Sequence, residues 1–160
     1  MNDAPVLVLA AGGTGGHMFP AQAVAETMLS QGWQVILSTD TRGSHYSAGF
    51  PDEVIVEVVS SGTFARLGLI NKIFAPFHIL KGIFVAFRRM RRLRPDVVVG
   101  FGGYPAIPAM GAALTLGIPC MLHEQNGVLG KVNGLFASCA DKIISGTRPM
   151  GFPKNLKVHY

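Results

Sequence analysis

The chain has 160 residues, of which 49% are hydrophobic and 14% charged, and its formal net charge is +5. This length suits one domain that can bury a good core, and the apolar composition excludes a disordered chain. The sequence contains no paired aspartates, no metal-site spacing of its two cysteines and no nucleophile motif, so neither a metal ion nor covalent catalysis is indicated.

The first predicted element is a buried strand over Val6 to Ala11, a short and partly β-branched apolar run. A helical pattern begins at about Met18. Between them lies a glycine turn that consists of Gly12, Gly13, Thr14, Gly15 and Gly16, followed by His17. Backbone N–H groups and the helix dipole converge in such a turn, which predicts a loop for a phosphate, a diphosphate or a sugar edge. The alternative is a turn that needs glycine only for its backbone shape.

Further along the chain, short apolar runs alternate with helical patterns. Strands are predicted over Gln34 to Thr39, Val54 to Val59, Val97 to Val99, Cys120 to Leu122 and Lys142 to Ser145, and a last one begins near Leu156. Helices are predicted over Phe64 to Arg94 with an interruption at Pro76, over Ala106 to Leu116 with an end at Gly117, and over Val128 to Ser138. This alternation predicts an α/β fold, a Rossmann-like parallel sheet with helices on both faces.

Two further polar or glycine-rich loops are predicted at the carboxyl ends of strands, where such folds bind ligands. One runs from Gly100 to Tyr104 and includes Gly102 and Gly103, and it suits a second anion cradle or simple tight-turn chemistry. The other holds four hydrogen-bonding side chains in a row, His123, Glu124, Gln125 and Asn126. These residues suit a polyhydroxylated ligand, or alternatively they cap the next helix.

The long helix that ends near Arg94 combines a broad apolar face with cations. That face, which includes Leu80 and Met90, is predicted to be core. Beside it lie two aromatic and three cationic residues, namely Phe77, Lys81, Phe84, Arg88 and Arg91. This combination favours anionic lipid headgroups, whereas a nucleic-acid patch and a solvated helix end are the alternatives. Because of the apolar neighbours we expect a membrane surface and no nucleic acid as the partner.

Three motifs in the order GGTGGHMFPA, FGGYPAIPA and HEQNGVLGKVN resemble the N-terminal half of the MurG family. The SSG segment with Arg66 is also similar to the family pattern, whereas Leu129 stands where many members carry proline. The resemblance covers essentially the whole chain, and family members continue into a second Rossmann-like domain. The chain is therefore interpreted as the N-terminal acceptor domain of a GT-B glycosyltransferase, without the C-terminal donor domain.

The resemblance implies an inverting transfer of GlcNAc from UDP-GlcNAc to the MurNAc 4-hydroxyl of lipid I, which gives lipid II. It implies no metal and no cofactor. The expected partners are lipid I, an anionic membrane surface and, mainly through the missing domain, UDP-GlcNAc. The expected location is peripheral, at the cytoplasmic face of the bacterial inner membrane, and this half alone is expected to be inactive.

The resemblance also implies roles for individual residues. His17 matches the proposed general base, and Glu124 is a second candidate for a base or an orienting group. The glycine loops, Gly12 to Gly16 and Gly100 to Gly103, fit the acceptor diphosphate. Residues linked to the donor-sugar side of the cleft are Thr14, Gly15, Gly16 and Asn126. The predicted binding set is completed by Tyr104, His123 and Gln125.

Two rival functions follow from the residues themselves. A dinucleotide-binding oxidoreductase would use Asp40, which lies near the end of the second strand, as its ribose-binding acid. Against it, Met18 stands where the third glycine of that fingerprint is expected. The second rival is a non-catalytic membrane-docking module.

Overall fold

The computed structural model describes residues 4–59, 69–147, 152 and 158–159. Its strands are β1 (Val6–Ala11), β2 (Gln34–Thr39), β3 (Ile55–Val58), β4 (Val97–Gly102), β5 (Cys120–Glu124), β6 (Lys142–Ser145) and β7 (Val158–His159). Its helices are α1 (Gly15–Ser30), α2 (Leu69–Leu93), α3 (Ala106–Leu116) and α4 (Lys131–Phe136), and a 3₁₀ helix at Gly43–Gly49 follows β2.

The seven strands form one sheet in the order β3-β2-β1-β4-β5-β6-β7, and every pairing is parallel. The chain moves outward from β1 to β3 and then returns to the other side of β1, where β4 begins. The topology therefore switches direction between β1 and β4, and a crevice opens at the carboxyl ends of these two strands. This confirms the predicted Rossmann-like fold.

The core consists of two apolar layers, one on each face of the sheet. Leu7 and Leu9 of β1 face α1, whereas Val8 and Ala10 of the same strand face the helices α2, α3 and α4. Alternate residues of a strand point to opposite faces, so a strand buried on both faces has a continuously apolar sequence. The prediction of helices on both faces is thus confirmed.

Glycine allows α3 to pack closely against its neighbours. A Cβ added to Gly111 would lie 3.0 Å from Ile83 of α2, and one added to Gly100 would lie 2.9 Å from the sulfur of Met110. The helix ends at Gly117, whose φ of 67° is left-handed and favours glycine. α3 is therefore held close to both β4 and α2, and its predicted bounds are confirmed.

Several predicted bounds differ from the structure at the ends of elements. β4 continues to Gly102 and β5 to Glu124, because their backbones pair with Ala11 and Ser145 of the neighbouring strands. α1 already begins at Gly15. In each case hydrogen bonds to neighbouring backbone outweigh the local preference of the sequence for a turn.

Two helix predictions were also inaccurate. α2 runs from Leu69 to Leu93 without the interruption predicted at Pro76, since a proline removes only one hydrogen bond of a long helix that packs on α3. α4 is shorter than predicted. Within the part of the chain that is described, no helix has the length and hydropathy needed to cross a membrane. The predicted helix start at Phe64, Arg66 with its SSG segment and most of the final loop lie outside the described residues.

Candidate functional site

Two glycine loops touch each other backbone to backbone at the switch point. A Cβ added to Gly103 would lie 2.6 Å from the carbonyl oxygen of Gly12. A Cβ added to Gly12 would in turn lie 2.7 Å from the side chain of Pro105. Gly102 and Gly103 have φ values of 97° and 78°, which favour glycine. The loops after β1 and β4 are thus locked together by contacts that only glycine permits.

His17 lies between these two loops with its ring orientation fixed. Its Nδ1 is 3.1 Å from the carbonyl oxygen of Gly12 and 3.3 Å from the hydroxyl of Thr14. A carbonyl oxygen only accepts, so Nδ1 carries the proton of the neutral ring and Nε2 keeps a lone pair. Nε2 lies 3.1 Å from the position that a Cβ on Gly102 would take. The imidazole therefore presents a basic nitrogen to the floor of the crevice.

The N-terminus of α1 forms a positively polarised wall of the same crevice. The N-cap residue Thr14 makes no side-chain cap within the described structure, and the first turn holds no acidic residue. Arg42 adds a full positive charge to this wall. Its Nη2 lies 3.6 Å from the position that a Cβ on Gly13 would take. The free N–H groups, the helix dipole and this guanidinium together suit an anion.

Asp40 holds Arg42 in this place. Its carboxylate is buried and accepts a hydrogen bond of 2.9 Å from the backbone N–H of Gly43. The Arg42 guanidinium donates to the same carboxylate at 3.3 Å. The carboxylate is therefore engaged inside the turn after β2, which does not support the rival interpretation of Asp40 as a ribose-binding acid.

Glu124 is a buried carboxylate whose two oxygens accept four hydrogen bonds. One oxygen accepts from the backbone and side chain of Asn126, and the other from the backbone of Gly130 and the side chain of Asn133. Burial by itself would raise the pKa of this carboxyl, but the four hydrogen bonds outweigh burial and hold the pKa below its ordinary value. Glu124 is therefore an ionised group around which the loop after β5 is folded.

The remaining predicted residues lie around the same crevice. His123 is the penultimate residue of β5, its ring contacts Phe101 at 5.2 Å between centroids, and burial lowers its pKa. The amide nitrogen of Gln125 lies 3.7 Å from the Cβ position of Gly16. Tyr104 is exposed and directly follows the second glycine loop. The structure thus brings all three predicted loops together.

Two contributors to the site, Arg42 and Asn133, were not predicted from the sequence. Arg42 reaches the first glycine turn from the loop after β2, and no local motif marks it. Asn133 donates to Glu124 from α4. Asn133 did offer a signal, because it is the last residue of the motif HEQNGVLGKVN.

Away from the crevice loops, α2 exposes the stripe that is predicted to meet a membrane. We define the α2 surface as Phe77, Leu80, Lys81, Phe84, Arg88 and Arg91, all of which are exposed. The exposed fractions of its three apolar residues are 67% for Phe77, 62% for Leu80 and 59% for Phe84. Met90 is buried as predicted, whereas the assignment of Leu80 to the core was wrong. Leu80 stands three residues after Phe77 and four before Phe84, so the three share one side of the helix.

Comparisons with known proteins show the family of the chain. The sequence pattern described as the glycosyltransferase family 28 N-terminal domain matches residues 7–145. A Caulobacter vibrioides protein named UDP-N-acetylglucosamine–N-acetylmuramyl-(pentapeptide) pyrophosphoryl-undecaprenol N-acetylglucosamine transferase is 47% identical over 148 residues. A Maricaulis maris protein of the same name is 43% identical over 139 residues.

A solved structure is similar over almost the whole chain. The crystal structure of Acinetobacter baumannii MurG superposes with a TM-score of 0.80 and 39% identity, and it covers 98% of this chain and 45% of the other. The match covers 89% of this chain but 41% of the Caulobacter relative. The chain thus spans less than half the length of these relatives, and the resemblance to the MurG family is confirmed.

The contact between the two loops makes Gly103 a sensitive position. We expect Gly103→Ala to lower the free energy of unfolding by well over 1 kcal/mol, because it adds a clash with the Gly12 carbonyl to the cost of a left-handed alanine. Urea denaturation followed by circular dichroism measures this loss. Gly117→Ala is the matched control, since Gly117 is also left-handed but has nothing within 4 Å of its Cβ position. Equal losses in the two variants would contradict the predicted clash.

Proposed function

The chain belongs to glycosyltransferase family 28 by its N-terminal domain, and from this premise we propose that it is the acceptor-binding part of an enzyme that transfers GlcNAc from UDP-GlcNAc to lipid I. The observation that carries the proposal is the position of His17 Nε2, a nitrogen with a lone pair, on the floor of the glycine crevice. The names of the relatives supply the substrates, and the proposal transfers them to this chain.

In the proposed reaction His17 acts as the general base. The 4-hydroxyl oxygen of the acceptor sugar attacks C1 of GlcNAc from the face opposite to UDP. The new C–O bond forms as the bond to UDP breaks, and the hydroxyl proton moves to Nε2. The Gly12 carbonyl, which accepts from Nδ1, stabilises the resulting imidazolium.

The diphosphate of the acceptor is proposed to bind at the N-terminus of α1. The free N–H groups of the turn and the Arg42 guanidinium offer donors and positive charge there. The turns Gly12 to Gly16 and Gly102 to Gly103 allow backbone to approach the phosphates closely. His17 lies in the first turn of the same helix, so one sugar diphosphate can reach both.

Glu124 is proposed to orient the site and not to serve as the base. Its four hydrogen bonds already engage both oxygens, and its lowered pKa disfavours proton uptake. His123, Gln125, Asn126 and Tyr104 are proposed to complete the acceptor and donor-sugar contacts around it.

The donor nucleotide is proposed to bind mainly to a further domain. Support comes from the relatives, of which this chain spans about two fifths. Thr14, Gly15, Gly16 and Asn126 would then face the sugar of the donor from this side of a cleft.

The α2 surface is proposed to attach the protein to the cytoplasmic face of the inner membrane. Exposed aromatic and aliphatic side chains can enter the headgroup region, while Lys81, Arg88 and Arg91 attract anionic lipid. The acceptor carries a polyprenyl chain in the relatives' names, so a peripheral location would bring the crevice to its substrate.

A transfer assay tests the division between acceptor and donor parts. We expect residues 1–160 to bind a soluble lipid I analogue but to transfer no GlcNAc. A chimera that joins them to the remaining length of the Caulobacter vibrioides relative should transfer it, because the donor would then have its own domain. Measurable transfer by residues 1–160 alone would refute the proposed division, and no binding of the analogue would refute the acceptor assignment.

Replacement of the base tests the mechanism in that chimera. We expect His17→Ala to lower kcat about a hundredfold or more, with the acceptor KM largely unchanged, because proton removal is lost while binding groups remain. His45→Ala, at an exposed histidine of the 3₁₀ helix, is the matched control. A kcat near that of the parent would assign the base role elsewhere.

Vesicle sedimentation tests the α2 surface. Binding should rise with anionic lipid and weaken with salt, since each near-surface cation contributes about 1 kcal/mol. The pair Phe77→Ser and Phe84→Ser should weaken binding even at high salt, whereas Arg88→Gln with Arg91→Gln should mainly flatten the salt dependence.

The matched apolar control for this test is Val128→Ser with Leu135→Ser, which changes two exposed residues outside α2. Melting curves establish first that each variant is folded. Sedimentation of the folded phenylalanine variant at the parent's level would show that α2 does not bind the membrane.

A further inference from the structure

Asn133 is a buried polar residue of α4 that the proposed reaction does not use. Its exposed fraction is 2%, and the neighbouring Val132 and Phe136 of the same helix are also buried. Its Nδ2 donates to the carbonyl oxygen of His123 at 3.0 Å and to the Glu124 carboxylate at 2.9 Å. Both amide hydrogens are thus committed to the carboxyl end of β5.

These two bonds fix the direction of the Asn133 carbonyl group. A flipped amide would place its oxygen against two acceptors, so Oδ1 has to face away from β5. There it lies 3.5 Å from the Cβ position of Gly102, and His17 Nε2 lies 3.1 Å from that same position. Oδ1 and Nε2 therefore flank Gly102 together.

Neither of these two atoms has a donor within the described residues. Oδ1 is buried without a hydrogen-bond partner, which is unfavourable in a folded protein. Nε2 has a lone pair, because Nδ1 donates to Gly12. A hydroxyl carries one hydrogen and serves one acceptor, so two acceptors require two donors. Neighbouring donors of this kind occur on a sugar, as two hydroxyls or as a hydroxyl and an amide.

We propose that Asn133 is a positioning residue that also reads the acceptor sugar. Its Nδ2 holds Glu124 and the end of β5 in place. Its Oδ1 accepts a hydrogen bond from a second donor of the sugar whose reacting hydroxyl faces His17. Oδ1 is closed to solvent in the free chain, so the sugar reaches it when the His17 ring and Asn133 separate over Gly102. This inference rests on the proposed function.

Binding of a soluble lipid I analogue to the 160-residue chain tests the inference by calorimetry. Asn133→Leu keeps the volume but removes both kinds of hydrogen bond, and it should weaken binding about tenfold or more. Val132→Ala destabilises the same helix by cavity formation without touching these bonds, and should leave Kd within about twofold. Gly134→Ala, with nothing within 4 Å of its Cβ position, is the neutral control.

Nuclear magnetic resonance gives two readouts that a purely structural role would not move. The side-chain amide signals of Asn133 should shift when the analogue binds, because acceptance at Oδ1 polarises the amide. The carbon signal of the Glu124 carboxyl should report a higher pKa in Asn133→Leu than in the parent, since one of its hydrogen bonds is lost. Val132→Ala should leave that pKa unchanged.

Equal loss of binding in Asn133→Leu and Val132→Ala would reduce Asn133 to a packing residue and overturn the proposal. Unmoved Asn133 amide signals at saturation would overturn the role of Oδ1. If the parent chain does not bind the analogue, the proposed function is refuted, and the proposed hydrogen bond from the sugar to Asn133 Oδ1 is refuted with it. The titration of Glu124 then tests whether Asn133 positions that carboxylate. An unchanged pKa of Glu124 in Asn133→Leu would overturn this role.

Discussion

The contact between the backbones of Gly12 and Gly103 is the constraint on which the site depends. A Cβ on either glycine would collide with backbone or proline across the switch point. Without side chains the carboxyl ends of β1 and β4 come close enough for His17 to bridge them, with Nδ1 on Gly12 and Nε2 beside Gly102. The tautomer and the position of His17, the candidate base, therefore depend on the absence of a Cβ at Gly12 and Gly103.

Buried charge organises the other half of the crevice. Glu124 and Asp40 are both nearly inaccessible, and each is compensated by hydrogen bonds from a turn that follows its strand. A buried carboxylate without such partners would be neutral or would destabilise the fold. The two carboxylates thus stabilise the loops after β2 and β5. These loops hold Arg42 and Gln125, which lie beside the first glycine turn and can contact a ligand.

The chain separates a crevice whose polarity suits an anion from a cationic and apolar helix surface. The crevice gains its positive character from backbone dipoles and one guanidinium, so it needs little net charge. The α2 surface instead presents side chains, whose attraction to an anionic surface acts over about a Debye length. In the proposed function a lipid-linked diphosphate uses both, with its headgroup in the crevice and the membrane under α2.

The sequence by itself determined the fold class and which three loops lie at the carboxyl ends of the strands. Apolar runs such as Val6 to Ala11 and the glycine stop at Gly117 are local signals, because strand burial and left-handed turns are encoded within a few residues. Only the tertiary structure decided where β4 and β5 end, since pairing with Ala11 and Ser145 carries them into segments that are predicted as loops. It also decided that Leu80 is exposed and that Glu124 is fully hydrogen-bonded. Arg42 reaches the crevice from the loop after β2, and such a long-range contact depends on the packing of the whole sheet, which no local pattern records.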